Sequence, residues 1–513
     1  MLTRILVAVV ALLIPYLYSK IRYKRLRQFA RFSQLPPSAI LGHLQILDEY
    51  IKRAPRKAHP DVAIAAMHEA LGRPPVMLVD LRPISSPLVI IGSYEVAEQI
   101  VKASSRFPYS PPKSPETWNH LEYLTGPTSI VSSQGESWKA LRKRFNPGFS
   151  PQHLLSLLPS IVDKALLFIH DLDNLSSSEK EYSLQDLATN LTFDIIGRVV
   201  LDIDMGAQSD KPTSFMRVFH ELIQTYADEQ ITLPWWCTPW LEWKRNSLAR
   251  RARDTLKSII RERYAELGQA AKSCSILSMS LQGVEDLNPR TVDVTCDQLS
   301  TFLFAGHDTT STTLAWTFYE LSRTPHALRA VRAELDELFG LDLSPESVRA
   351  RLTGPGGEEL VHRMTYTTAV IKEVLRLGEI SEMDLDGLLL YPVHSIIQRD
   401  PAVFGDTADV FVPERWLDQD APDKTPAGAW RAFERGPRGC IGQELAMIET
   451  RVVLALTIRR YNFTKVGIGA VSSNETSGQP EMGKHGQYKA AEEMYMVTSK
   501  PVDGMMMKVN IAA

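Results

Sequence analysis

The apolar positions of this chain fall into three patterns. The first has no period: residues 5–18 read ILVAVVALLIPYLY, with no charge between Arg4 and Lys20. Lys20, Arg22, Lys24, Arg25, Arg27 and Arg31 follow closely. A helix over residues 5–18 rises about 21 Å, short of the roughly 30 Å hydrocarbon core of a bilayer. Leu2, Thr3 and Ser19 lengthen the run, and Arg4 and Lys20 can reach outward to the interface. Basic residues on the C-terminal side orient the main body toward the cytoplasm. The pattern predicts a membrane anchor over 1–20, a basic and proline-containing hinge over 21–40, and a single body over 41–513. A cleaved signal peptide is the alternative. Its n-region is weak, a small-residue cleavage site is lacking, and basic residues follow directly.

The second pattern is short apolar runs bounded by turn residues. PVMLVD at 75–80 and PLVII at 87–91 predict strands flanking LRPISS, and β-compatible pieces recur near 389–397 and 494–510. The third is helical spacing, at 155–171, 246–268 and through the central and C-terminal thirds. No βαβ unit repeats. The expectation is a mainly α fold with small β-sheets, in the α+β class. ITLPWWCTPWLEW at 231–243 reads as a buried turn packed against helices, or as a second membrane-contacting surface.

Composition narrows this. The chain has 513 residues, 44% hydrophobic and 23% charged, with a formal charge of -3, as an ordinary folded protein should. That balance excludes the basic excess of a nucleic-acid binder. Its four cysteines, Cys237, Cys274, Cys296 and Cys440, are too scattered for a disulfide framework or zinc cluster. A chemically important cysteine acts alone.

FERGPRGCIG at 433–442 supplies that cysteine. Glycines allow close backbone approach, and a helix expected from Ile441 places free amides beside Cys440, where they favour a thiolate. A thiolate suits haem iron. Arg438 can pair with a haem carboxylate or be an ordinary surface cation. TFLFAGHDTTSTTLAW at 301–316 reads as a helix crossing the core. Ala305 and Gly306 leave room for a flat cofactor and substrate, with Asp308 and Thr309 an acid–hydroxyl pair beside the gap. A threonine there can also bond the preceding turn without catalytic purpose. His307 reads as a shape or substrate-contact residue. Glu373 and Arg376 in AVIKEVLRL share a helix face, as do Trp138 and Arg142 in WKALR.

Together these motifs resemble the cytochrome P450 superfamily, in particular fungal microsomal haem-thiolate monooxygenases. The resemblance covers most of the chain and implies the P450 fold with an N-terminal transmembrane helix. It implies that Cys440 is the proximal ligand of haem b, that Phe433 packs beside its sulfur, and that Arg438, Trp138 and Arg142 meet the propionates. Ala305 then borders the haem, Thr309 steadies bound dioxygen, and Asp308 helps deliver protons. PERW at 413–416 adds Arg415 to a buried Glu373–Arg376–Arg415 network. The implied electron source is NADPH through an external cytochrome P450 reductase, with cytochrome b5 as a second donor. The setting is the endoplasmic reticulum membrane, with the catalytic domain in the cytoplasm. The implied substrate is an apolar small molecule of fungal secondary metabolism, such as a polyketide.

The sequence departs from the family after Arg376. Only 23 positions separate Arg376 from Arg399 in LGEISEMDLDGLLLYPVHSIIQRDP, the proline-rich turn is missing, and Gln398 replaces a histidine. A shortage of about a dozen residues represents roughly 40 Å of extended path, too much to absorb by stretching. The missing piece belongs to the substrate wall. An unusual loop, an altered transcript and a degraded enzyme each account for it. The rival functions are accordingly an inactive or noncatalytic haem-binding membrane protein, a fatty-acid or alkane hydroxylase, and a haem-thiolate isomerase or dehydratase.

Overall fold

The computed structural model describes residues 2–512 except 56–57, 106, 115–119, 228–236, 267–273, 378–382, 386–387, 418–424, 475–476, 493, 495 and 498–499. In chain order the elements that position the site are α1 (Leu2–Arg22), β1 (Val76–Val79), β2 (Leu88–Ile91), α2 (Gly135–Phe145) and α3 (Leu158–Ser178). Next come β3 (Tyr182–Ser183), α4 (Leu184–Leu201), α5 (Pro239–Glu266), α6 (Pro289–Arg323) and α7 (Thr365–Arg376). The chain ends with β4 (Met383–Leu385), β5 (Leu388–Pro392), α8 (Gln443–Thr457), β6 (Tyr461–Lys465), β7 (Met496–Val497), β8 (Lys500–Pro501) and β9 (Met506–Ile511).

The longest helix, α6, starts where Asn288 accepts a hydrogen bond from the Thr291 N–H at 2.9 Å and Pro289 occupies the first turn. Buried side chains surround it from Val292 to Leu321, so it lies in the core and not on its rim. Helix α4 packs along it. A Cβ on Gly306 would stand 2.5 Å from Ile196 Cδ1, so the bare face of Gly306 is used by helix packing. This corrects the expectation that Gly306 makes room for a cofactor. Thr192 donates to the His307 carbonyl at 2.8 Å, and Gln185 to Ser311 at 3.0 Å, fixing the register of the two helices.

Strands form where the apolar runs were short. β1 and β2 pair antiparallel from Val76↔Ile91 to Val79↔Leu88, and β2 pairs parallel with β5. With β4 outermost, the sheet order is β1-β2-β5-β4. Alternate residues feed two cores: Met77, Val79 and Ile90 join one cluster, Leu78, Val89 and Ile91 another. A sheet buried on both faces explains why these strands read as continuous apolar runs. A second sheet has the order β3-β9-β6, and β7 pairs with β8. Residues 394–397, expected as strand, are instead a helical turn after β5.

Among the described residues no helix is long and apolar enough to cross a membrane, which leaves the transmembrane expectation for 1–20 without support from the fold. Helix α1 exposes Ile5, Val9, Leu12 and Ile14 and runs into a π-helical turn at Tyr23–Arg27. Trp240 and Trp243 at the start of α5 stack at 4.9 Å and are 73% and 60% exposed, so this pair is not the buried packing expected for 231–243. Trp235 and Trp236 lie outside the described residues.

The basic stretch after α1 is tied to the body. Arg25 and Arg82 both bond Asp80 at 2.8 Å, and Arg25 also donates to the Ile40 and Arg82 carbonyls. His43 accepts from the Asp80 N–H at 2.7 Å. Burial by itself would raise the Asp80 carboxyl, but hydrogen bonds from Arg82 and Arg25 outweigh it and hold it at about 2. A pKa depressed by folding contributes stability above the ordinary carboxylate range, lost as pH falls toward about 2. Asp80→Asn strands two guanidinium groups and should lower the unfolding free energy by about 3 kcal/mol. Urea unfolding at neutral pH measures this, and a variant as stable as the wild type would remove the clamp from the account.

Candidate active site

The segment around Cys440 is built by its backbone. The Cys440 N–H donates to the Phe433 carbonyl at 2.8 Å, closing the loop on itself. Gly436 has φ 74°, and a Cβ there would stand 2.7 Å from the Val101 carbonyl, so a side chain is excluded on both counts. Helix α8 starts at Gln443 and not at Ile441, leaving a turn whose Gly442 and Gln443 amides face the sulfur. The thiol is open to solvent on one side, yet crowding pushes its pKa up; the two amides and the charge of Arg142 oppose that rise.

Sequence reasoning missed what holds this loop from outside. Arg431, fully buried, bonds Glu98 at 3.0 Å and Glu434 at 2.7 Å. Burial alone would raise Glu434, but hydrogen bonding and charge from His394 and Arg431 keep its carboxyl at about 2. The available signal was Glu434, the one acid in a segment that also carries Arg431, Arg435 and Arg438.

Two guanidinium groups converge beside the thiol. Arg438 lies over the Trp138 ring at 4.5 Å and donates to the Ser133 carbonyl at 2.8 Å and to Gln134 at 2.9 Å. Burial and then the charge of Arg142 bring Arg438 down to about 10. Burial also lowers Arg142, whose charge interaction is with Cys440. Among the described residues neither arginine has a carboxylate partner. Two crowded cations without acids among the described residues, beside a thiol, fit a flat iron-bearing group with two carboxylates, such as haem b.

On α6, Ala305 and Thr309 are exposed although Leu303, His307 and Thr310 around them are buried. One face of this core helix therefore borders open space. Thr309 Oγ1 donates to the Ala305 carbonyl at 2.8 Å, the local bond a helical threonine makes. Asp308 is held 2.5 Å from Lys500 Nζ on β8, a partner that no motif announces. His307 points elsewhere: it is buried, bonds the Leu303 carbonyl at 2.7 Å, and packs on Phe193 at 5.0 Å. It shapes the α4–α6 contact, which favours the first of its two readings, shape, over substrate contact.

Glu373, Arg376 and Arg415 are brought together. Arg376 donates to both Glu373 oxygens at 2.9 Å, and Arg415 to one at 3.0 Å. The Val412 N–H and Trp416 Nε1 complete the set at 2.9 and 2.8 Å. Arg376 also bonds the Gln398 and Ala408 carbonyls at 2.6 Å. Gln398, in place of histidine, donates to the Arg376 carbonyl at 3.1 Å and accepts from the Arg431 N–H at 2.7 Å. It thus ties the end of α7 to the start of the cysteine segment. Within the connection before it, three-residue β4 pairs with β5 at the edge of the sheet; residues 378–382 and 386–387 of the expected wall lie outside the described residues.

Comparison with known proteins agrees with this geometry. The Cytochrome P450 family model matches residues 50–478. The chain is 29% identical over 500 residues to cytochrome P450 monooxygenase acrF of Aspergillus aculeatus, covering 89% of this chain and 98% of that protein. It is 27% identical over 502 residues to cytochrome P450 monooxygenase polC of Polytolypa hystricis, covering 88% and 85%. A crystal structure of cytochrome P450DA heme domain superposes with a TM-score of 0.70 at 18% identity, covering 94% of this chain and 97% of that one. The chain belongs to the cytochrome P450 family, whose members are oxidoreductases that bind haem and take electrons from a redox partner.

Because crowding keeps the Cys440 thiol protonated, ligation must release a proton. Haem uptake by apoprotein should therefore tighten by up to about tenfold per pH unit below the thiol pKa. Absorbance titrations at several pH values measure the slope, with Cys440→Ser losing it. A flat profile in the wild type would show that another group ligates.

Proposed function

We propose that this chain is a haem-thiolate monooxygenase that inserts one oxygen atom from O2 into an apolar small molecule of fungal secondary metabolism. The observation that carries the reading is the juxtaposition of Cys440 with two guanidinium groups that have no acid partner among the described residues. Haem b, when bound, supplies the reductive activation of dioxygen.

The chain's own residues do the rest. Cys440 would supply the sulfur that holds the haem, and the Gly442 and Gln443 amides would disperse its negative charge. Arg142 and Arg438 would pair with the two propionates, with Trp138 buttressing Arg438. Phe433 fixes the loop through its carbonyl. Ala305 lets substrate approach the helix backbone. The Thr309 hydroxyl turns from the Ala305 carbonyl to hold a water, and Asp308 relays protons inward from the Lys500 side. Glu373, Arg376 and Arg415 position the loop and take no part in the chemistry. NADPH–cytochrome P450 reductase is the proposed electron donor, with cytochrome b5 as a second one. The exposed apolar side chains of α1, followed by its basic residues, support attachment to the endoplasmic reticulum membrane.

Reduced, carbon-monoxide-treated holoprotein should absorb at the thiolate-specific position, and Cys440→Ala should abolish that band. With reductase and NADPH, Thr309→Ala should keep the band while product per NADPH falls by at least about tenfold. A wild type with the band but no NADPH-dependent product from any apolar substrate would favour the noncatalytic haem-binder, the reading that the shortened 377–398 segment supports.

Vesicles of endoplasmic-reticulum lipid composition test the anchor separately. The full chain should float with them, and deletion of residues 2–22 should leave most of the protein at the bottom of the gradient. Equal flotation of both would move attachment to another surface.

A further inference from the structure

The ion pair between α6 and β8 is closer than it is well made. Lys500 Nζ stands 2.5 Å from Asp308 Oδ1, yet that oxygen accepts no aligned hydrogen bond. The contact is one of charge without hydrogen-bond geometry. Among the described residues neither side chain has a second ion-pair or hydrogen-bond partner. Lys500 keeps 35% of its side chain exposed and Asp308 25%, so the pair is part-desolvated and still open to a further group.

The pair borders the open face of α6. Ala305 and Asp308 are three positions apart and share a helix face, and Ala305 and Thr309 on that side are exposed. The hydroxyl groups along this stretch are already used. Thr309, Thr312 and Thr313 donate to the Ala305, Asp308 and Thr309 carbonyls at 2.8, 2.9 and 3.0 Å, so each serves its own helix. Lys500 carries three N–H donors and meets one misaligned acceptor. It therefore brings unspent donors, and a positive charge, to this face.

We propose that Lys500 selects the substrate, by binding a carboxylate on an otherwise apolar molecule and leaving Asp308 as it does so. The proposal rests on the monooxygenase reading and narrows its substrate class. A carboxylate suits the site better than a neutral acceptor, because its bond to an ammonium is charge-assisted and partial burial limits screening. Lys500 exchanges one carboxylate for another that can approach in better alignment, and no covalent bond changes. Asp308, released from the ammonium, turns toward the Thr309 hydroxyl, so an acid substrate engages the proton route as it binds.

The test uses the full-length holoprotein and probes that carry their own iron ligand: imidazol-1-yl-alkanoic acids with tethers of different lengths, each beside its methyl ester. The imidazole shifts the haem absorbance on binding, so titration gives a dissociation constant for each probe. The carbon-monoxide band of each protein is recorded first; its absence from the wild type would overturn the haem-thiolate reading, and the selection with it. With the band present, at least one acid should bind the wild type about tenfold tighter than its ester. Lys500→Gln should bring acid and ester level, and Lys500→Arg should keep the preference. Asp308→Asn should tighten the acid severalfold and leave the ester unchanged, because the competing carboxylate is gone. Acids no tighter than their esters at every tether length, a preference that survives in Lys500→Gln, or equal weakening of acid and ester in both charge-removing variants would overturn the role of Lys500. Each of those results leaves the haem-thiolate reading intact.

Discussion

Glu373 is a carboxylate with no exposed surface, and it accepts five hydrogen bonds: two from Arg376 and one each from Arg415, Val412 and Trp416. Burying that charge is costly unless every oxygen lone pair is met. The donors come from α7 and from the 412–416 turn, so satisfying one group fixes two separated stretches of chain together. Arg376 must then spend its remaining N–H groups on carbonyls, and it finds them at Gln398, Ala408 and Val410. Gln398 extends the lattice to Arg431, and Arg431 to Glu98 and Glu434. The cysteine segment is therefore held by a chain of buried charges that starts on α7.

This arrangement gives the thiol a fixed setting in which burial outweighs the influences that oppose it. Burial raises its pKa, while two amides and Arg142 offset part of that rise. A sulfur so placed stays protonated until a metal claims it, which suits a residue meant for ligation and not for free nucleophilic attack. The opposite problem sits beside it: Arg142 and Arg438 repel one another and, among the described residues, have no acid partner, a cost that a bound dicarboxylate would relieve.

Much of this was readable from residue types in order. Cys440, Arg438, Glu373, Arg376 and Arg415 stand in local motifs whose spacing carries their geometry, and β1 and β2 were apolar runs too short for helices. What stayed hidden depended on contacts across the chain. Gly306 looked like room for a ligand, but only the position of Ile196, more than a hundred residues earlier, shows that helix packing fills it. His307 lay beside two candidate catalytic residues, and its direction away from them is set by Phe193. Lys500 carries no motif at all; its pairing with Asp308 exists because β8 crosses α6. Asp80 and Arg25 are likewise ordinary charges until the fold brings them together.

The shortened connection after Arg376 takes on a different meaning in this setting. A deletion next to the buried carboxylate lattice would be expected to break it, because the residues on both sides belong to it. Here the two sides remain joined directly: Arg376 bonds the Gln398 carbonyl, and Gln398 bonds the Arg376 carbonyl in return. Arg399 adds a bond to the Leu377 carbonyl at 3.1 Å. The two ends of this connection are thus neighbours, so a short connection closes a loop between them and leaves the lattice intact. Loop-closure entropy changes only slowly with length, so the lattice itself sets no demand for a longer one.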